Sequence, residues 1–189
     1  MNRTDIVYQT CVGILRRELV CAMGCTEPIA LAYCAATARS VLEAMPDRIM
    51  VEASGNIIKN VKSVVVPNTG GRRGIAAAAA IGVLGGDEKA GLEVISSVKA
   101  ETIEALGPYL EHTPIEIKPL ESEHLLDMIV TVYKGSSYAK VRIANEHTRI
   151  VRIERDDAVI LEADAAAPAE EDAPFLEQIP LRPWRQLQR

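Results

Sequence analysis

Near residue 115 the apolar side chains of this sequence change their spacing, and that change constrains the fold more than any other feature. Before it they recur every third or fourth residue. Between Thr4 and Val20 the apolar positions are Ile6, Val7, Cys11, Ile14, Leu15 and Leu19, the pattern of an amphipathic helix with Thr4 or Asp5 as its N-cap. After it they fall on every second residue. Ile115-Glu116-Ile117-Lys118, Met128 to Tyr133, Ala139 to Ile143, Thr148 to Glu154 and Ala158 to Glu162 all alternate, with Gly135-Ser136-Ser137 and Asp156-Asp157 as turns. A helical first part followed by a β-meander predicts an α+β fold, with N-terminal helices packed on a mainly antiparallel, mixed sheet.

Local signals divide the first part further. Gly24 accepts a positive φ, and Pro28 fits only the first turn of a helix. Thr26 is therefore the predicted N-cap of a second helix from Glu27 to about Ala44. Arg48 to Ala53 alternates and reads as a strand, Ser54-Gly55-Asn56 as a turn, and Val61 to Val66 as a second strand. The glycine-rich stretch Asn68 to Gly74 leads into a small-residue helix, Ile75 to Leu84. Asp87 caps a further helix, predicted from Glu88 to about Leu106 and closed by Pro108. Residues 1–162 are expected to form one domain. Residues 163–189 read as an acidic Ala/Pro-rich linker and tail.

Composition excludes several classes. Twenty-one basic against 26 acidic residues give a net charge of −5, unlike a nucleic-acid binder that must displace counterions with a basic face. Aromatics are 4 % of the chain, so the core must be built from Ala, Val, Ile and Leu. No apolar run approaches the ~20 residues that cross a bilayer, and no secretion signal is visible behind Met1. A cytoplasmic protein is expected. All four cysteines (Cys11, Cys21, Cys25, Cys34) lie in the first 34 residues, at spacings that fit neither a disulfide scaffold nor a C-x-x-C metal site.

Three stretches carry candidate chemistry. In Gly24-Cys25-Thr26-Glu27-Pro28 a cysteine precedes a helix N-terminus, whose dipole favours the thiolate that ligates metal or attacks an electrophile. Glu27 beside it is a candidate acid or base, although a plain capped helix start explains the same residues. In Asn68 to Gly74 glycines ahead of a helix can aim backbone amides at a carboxylate or phosphate, or simply make a turn. Ser54 to Asn60 places two amides, a hydroxyl and an amine on what reads as a short polar connection between strands, able to hydrogen-bond a small polar substrate or simply solvated. His112, His124 and His147 show no ligand spacing and read as surface or structural residues.

Together, Gly24-Cys25-Thr26-Glu27-Pro28, Asn56-x-x-Lys59-Asn60, Pro67-Asn68-Thr69-Gly70, the Ala-rich helix ending Gly85-Gly86 and His147-Thr148-Arg149-Ile150 resemble the L-cysteine desulfidase family. Iron–sulfur L-serine dehydratase alpha chains share part of this pattern. The resemblance covers about residues 8–155. It implies a lyase of amino-acid catabolism: β-elimination on L-cysteine or L-serine, giving from cysteine pyruvate, ammonia and sulfide, without pyridoxal phosphate. It also implies a [4Fe-4S] cluster held by three cysteines, with Cys25 as one ligand and an open iron acting as Lewis acid. Glu27 and Lys59 are then the catalytic candidates, while Asn56, Asn60, Thr69 and Gly70 are candidates for holding substrate. In that family the other cluster cysteines lie in a C-terminal half. This chain has none after Cys34, so it is expected to be inactive alone, to need a complementary half or partner subunit, and to self-associate. The reading from another class is a non-enzymatic module that binds a small molecule or anion.

Overall fold

A computed structural model describes residues 3–19 and 21–165 of the chain. The tail expected beyond the last strand lies, from residue 166, outside the described residues. Residues 21–165 make one compact unit, and helix α1 (Ile6–Glu18) belongs to another. Asp5 caps α1 by accepting a hydrogen bond from the Val7 amide at 3.0 Å.

In the larger unit the order is α2 (Thr26–Leu42), β1 (Arg48–Ala53), α3 (Gly55–Val61), α4 (Gly74–Gly85), a 3-10 segment (Glu88–Glu93), α5 (Ala100–His112), then β2 (Ile115–Pro119), β3 (Asp127–Lys134), β4 (Ser137–Ala144), β5 (Ile150–Arg155) and β6 (Ala158–Glu162). The strands form a single sheet in the order β2-β1-β3-β4-β5-β6. β1 and β2 are parallel, joined by the long crossover that carries α3, α4 and α5, and every other pair is antiparallel. This is the expected α+β architecture, with the meander running from β3 to β6.

Alternation decides which face of the sheet is buried. Ile49, Val51 and Ala53 of β1, Met128, Val130 and Val132 of β3, and Ala139, Val141 and Ile143 of β4 all point to the helical side and are buried. α2 covers β3 and β4, and α4 packs on α2 from the other side, so both helices are buried around most of their circumference. Small residues permit this. A Cβ placed on Gly82 of α4 would sit 2.2 Å from the carbonyl oxygen of Ala32 in α2, so the two backbones touch where alanine would already be too large.

The opposite face is polar. The Arg48 guanidinium stacks 3.6 Å over the Tyr133 ring, Lys140 pairs with Glu154 at 3.3 Å, and Arg152 bridges Glu154 and Glu162. At the loop end of β3, Asp127 is fully buried and receives two hydrogen bonds from Arg142, at 2.9 and 2.7 Å.

Four predicted features are corrected. Residues 55–61 form helix α3 and not a turn leading into a strand. Of the predicted strand Val61 to Val66, only Val65 pairs, in an isolated bridge with Arg73. The helix predicted from Glu88 to Leu106 is broken. Gly91, at φ 54° and ψ −122°, interrupts its first part, and α5 starts afresh at Ala100 and passes through Pro108 to His112. Pro108 lacks an N–H for the ladder, yet it does not end the helix. β2 lies beside β1 and not within the meander, because parallel pairing needs the long helical crossover that precedes it.

Candidate functional site

The residues around Cys25 owe their placement to how α2 begins. Gly24, at φ 124°, takes a backbone conformation that side chains disfavour, and Cys25 is extended at φ −63° and ψ 124°. Cys25, not the predicted Thr26, is the N-cap residue, and Thr26, Glu27 and Pro28 fill the first turn. The cap makes no side-chain bond to the helix amides. Its thiol instead donates to Glu27 Oε2 at 3.0 Å.

The other carboxylate oxygen of Glu27 is taken by a different element. Asn60 Nδ2, from the last turn of α3, donates to Oε1 at 3.3 Å. Two of the three sequence stretches thus meet on one carboxylate. The third is adjacent, since a Cβ on Gly24 would lie 3.5 Å from Pro67 Cγ at the head of the glycine-rich loop. A fourth element contributes electrostatically: the charge of His147, in the loop between β4 and β5, favours the ionised form of Glu27. From its spacing His147 reads as a surface or structural residue, the usual place of a lone histidine. The His147-Thr148-Arg149-Ile150 element was the only signal that pointed to it.

The ionisation of the pair runs opposite to the expectation for Cys25. Partial desolvation, reinforced by the hydrogen bond to Glu27 and by its negative charge, pushes the thiol above its ordinary value. The hydrogen bond from Cys25 is the main influence holding Glu27 below the usual carboxylate range, with help from Asn60 and His147 against its own desolvation. A helix dipole favours a thiolate only where no carboxylate stands beside the sulfur. At neutral pH this site therefore presents a protonated thiol and an ionised carboxylate.

The remaining candidates divide. Asn56 and Lys59 are exposed on α3, and Asn56 lies one turn before Asn60, which puts these two amides on the same helix face. Neither Asn56 nor Lys59 has a side-chain partner among the described residues. Thr69 faces inward and is buried. Its hydroxyl lies 2.7 Å from the Val66 carbonyl and 3.2 Å from that of Arg72, which closes the glycine-rich loop on itself. Gly70, at φ 68°, is exposed. Asn68 donates to the Ile95 carbonyl at 2.9 Å, and Arg72 runs along α5 beside Gly107, so this loop is built mainly as a packed turn.

Among the described residues no group of three or more His, Cys, Asp or Glu side chains is arranged to hold a metal ion. Cys34 is buried in α2, where desolvation pushes its thiol up to about 12, and its Sγ–H donates to the Val141 carbonyl. Such a thiol is a packing group and not a ligand. The donor set among the described residues does not fit a [4Fe-4S] cluster.

No family model and no solved structure matches the chain. Curated relatives do. The chain is 51 % identical over 160 residues to a UPF0597 protein of Desulfitobacterium hafniense, 45 % over 158 residues to one of Lachnoclostridium phytofermentans, and 42 % over 155 residues to one of Treponema denticola. These matches cover 82–85 % of this chain and 36–38 % of each relative. The resemblance to the L-cysteine desulfidase family is thereby overturned, because the relatives carry the UPF0597 designation and none of these three bears that name. With it fall the lyase, serine dehydratase, amino-acid catabolism and iron–sulfur assignments. The chain is similar to UPF0597 proteins and spans a little over a third of the length of those it matches.

Proposed function

We propose that this chain supplies one wall of a binding site for a small zwitterionic amino acid, of the size of L-cysteine or L-serine, within a larger assembly. The observation that carries this reading is the convergence of Cys25, Glu27 and Asn60, from two separate helices, at an exposed position beside the Pro67 loop. An ionised Glu27 is an acceptor for a ligand ammonium, and the Cys25 thiol and Asn60 amide are short-range polar partners that add direction. Lys59, on the same short helix and without a side-chain partner among the described residues, is a cation available to a ligand carboxylate. The relatives are much longer than the matched region, which supports a site completed by polypeptide beyond this chain, whether a remaining portion or a partner subunit.

One large side of the ligand would then stay in water, so binding by this chain alone is weak. A Kd of about 1 mM, or about −4 kcal/mol, is the expected scale. Four free cysteines, three of them exposed, suit a reducing compartment, and we place the protein in the cytoplasm on that ground. Among the described residues no helix is long and apolar enough to cross a membrane.

Calorimetry with L-cysteine, L-serine and inorganic phosphate tests the reading. Saturable heats are expected for the two amino acids and not for phosphate, and Glu27→Gln is expected to abolish them. Binding of phosphate alone, or amino-acid binding that survives Glu27→Gln unchanged, contradicts it.

A further inference from the structure

The two edges of the sheet are built differently. β2 carries Glu116 and Lys118 on alternate positions and ends in Pro119, which has no N–H to offer. Charges and proline are the usual devices that keep an edge strand from recruiting another chain. β6 has neither along its middle. It reads Ala158-Val159-Ile160-Leu161-Glu162, and all five residues are exposed. Val159 is 47 % accessible, Ile160 60 % and Leu161 38 %. The one charge, Glu162, is at the end and already engaged by Arg152. A register shift opposite Ile153 and Glu154 sets Leu161 beside Ile153 and Val159 beside Glu154, so apolar side chains emerge on both faces of the same open edge.

We propose that β6 is the seat for an added strand contributed by polypeptide equivalent to the portion of the relatives that lies outside the matched region. The relatives are matched over only 36–38 % of their length, so most of each relative is available to cover this edge. Main-chain hydrogen bonds to the side of β6 that has no neighbouring strand among the described residues would hold the segment in place. Val159, Ile160 and Leu161 select its chemistry: an extended stretch with aliphatic or β-branched side chains on both faces and no proline at the paired positions. The inference is independent of what Cys25, Glu27 and Asn60 bind, because it rests on the edge alone.

Hydrogen–deuterium exchange read at residues 158–162 tests it. The full 189-residue chain is measured alone and after addition of the unmatched portion of the Desulfitobacterium hafniense relative, expressed as a separate polypeptide. Should that portion not fold by itself, the equivalent strand is measured in the full-length relative. Fast exchange is expected in the isolated chain, slowed about tenfold or more by the added portion or in the full-length protein. Ile160→Lys is expected to cancel the slowing while circular dichroism shows the chain still folded. Equally fast exchange in the full-length relative overturns the proposal. So does protection of the isolated chain that rises with its own concentration, since a second copy would then occupy the edge.

Discussion

Asn60 and Glu27 are 33 positions apart, yet Asn60 Nδ2 donates to Glu27 Oε1 at 3.3 Å and so ties the last turn of α3 to the first turn of α2. The bond orients a carboxylate whose second oxygen holds the proton-bearing sulfur of Cys25. Removing either neighbour should be felt by the other through Glu27.

The Cys25 thiol is raised by desolvation and by Glu27, so neutralising Glu27 should lower its titration midpoint. Alkylation of Cys25 at pH 8, followed by mass spectrometry of the peptide that contains it, should run faster in Glu27→Gln than in the parent chain. Fragment-ion localisation to the residue is needed because Cys11 and Cys21 are also exposed and no Lys or Arg separates Cys21 from Cys25. An unchanged or slower rate would show that Glu27 does not hold the proton on sulfur.

Full burial pushes the Cys34 thiol up from its ordinary 9.0 to about 12. A group whose folded value is raised contributes stability that is complete below the unfolded value and disappears as pH climbs through the folded one. Cys34→Ala should thus cost about 1 kcal/mol near pH 8, from lost packing; since each pH unit above 9 removes about 1.4 kcal/mol from the parent alone, the gap should close by about pH 10 and reverse before pH 12. Urea denaturation across that range checks it, and a constant gap would contradict the assignment.

Asp127 is fully buried and its charge is answered by Arg142, with Ser122 donating to the same carboxylate at 2.5 Å. Arg142→Ala leaves a buried charge unpaired and should cost about 3 kcal/mol or more in urea denaturation. The Ser54 amide, just before α3, donates to the Asp127 carbonyl, and the Ser54 hydroxyl to that of Leu125. Loosening this corner should also speed amide exchange in α3, which carries Asn60.

Gly82→Ala should be among the most damaging single substitutions. Its Cβ would fall 2.2 Å from the backbone of α2, and backbone cannot rotate away as a side chain can. Overpacking usually costs about 1–3 kcal/mol, and this contact should reach or exceed that. A thermal melt within a few degrees of the parent would refute the close helix contact.

Much of the fold was legible because its rules are periodic. β1, β3, β4 and β5 alternate, and α2 and α4 are long runs of small apolar residues between clear breakers. α3 escaped because seven residues centred on Asn56 and Asn60 have weak helix propensity. Tertiary contacts of Ile57 and Val61 with the core, not local preference, hold it helical. Helix was expected over the first half of α5, but its end was misplaced because proline is read as a terminator, whereas packing on α4 carries the helix past Pro108. At the site, the candidate residues were visible but the sign of the Cys25 shift was not. A dipole argument sees the helix end. It does not see which carboxylate the sulfur will face.

The most direct measurement is a nuclear magnetic resonance titration of the 15N-labelled chain with L-serine, with Asn60→Ala as the companion variant. Binding at the Cys25 site should shift the amides of Gly24 to Glu27 and of Lys59 and Asn60 along a common saturation curve, and the variant should weaken that curve. Shifts confined to other residues, or none up to solubility-limited serine, would contradict a ligand site built on Cys25, Glu27 and Asn60.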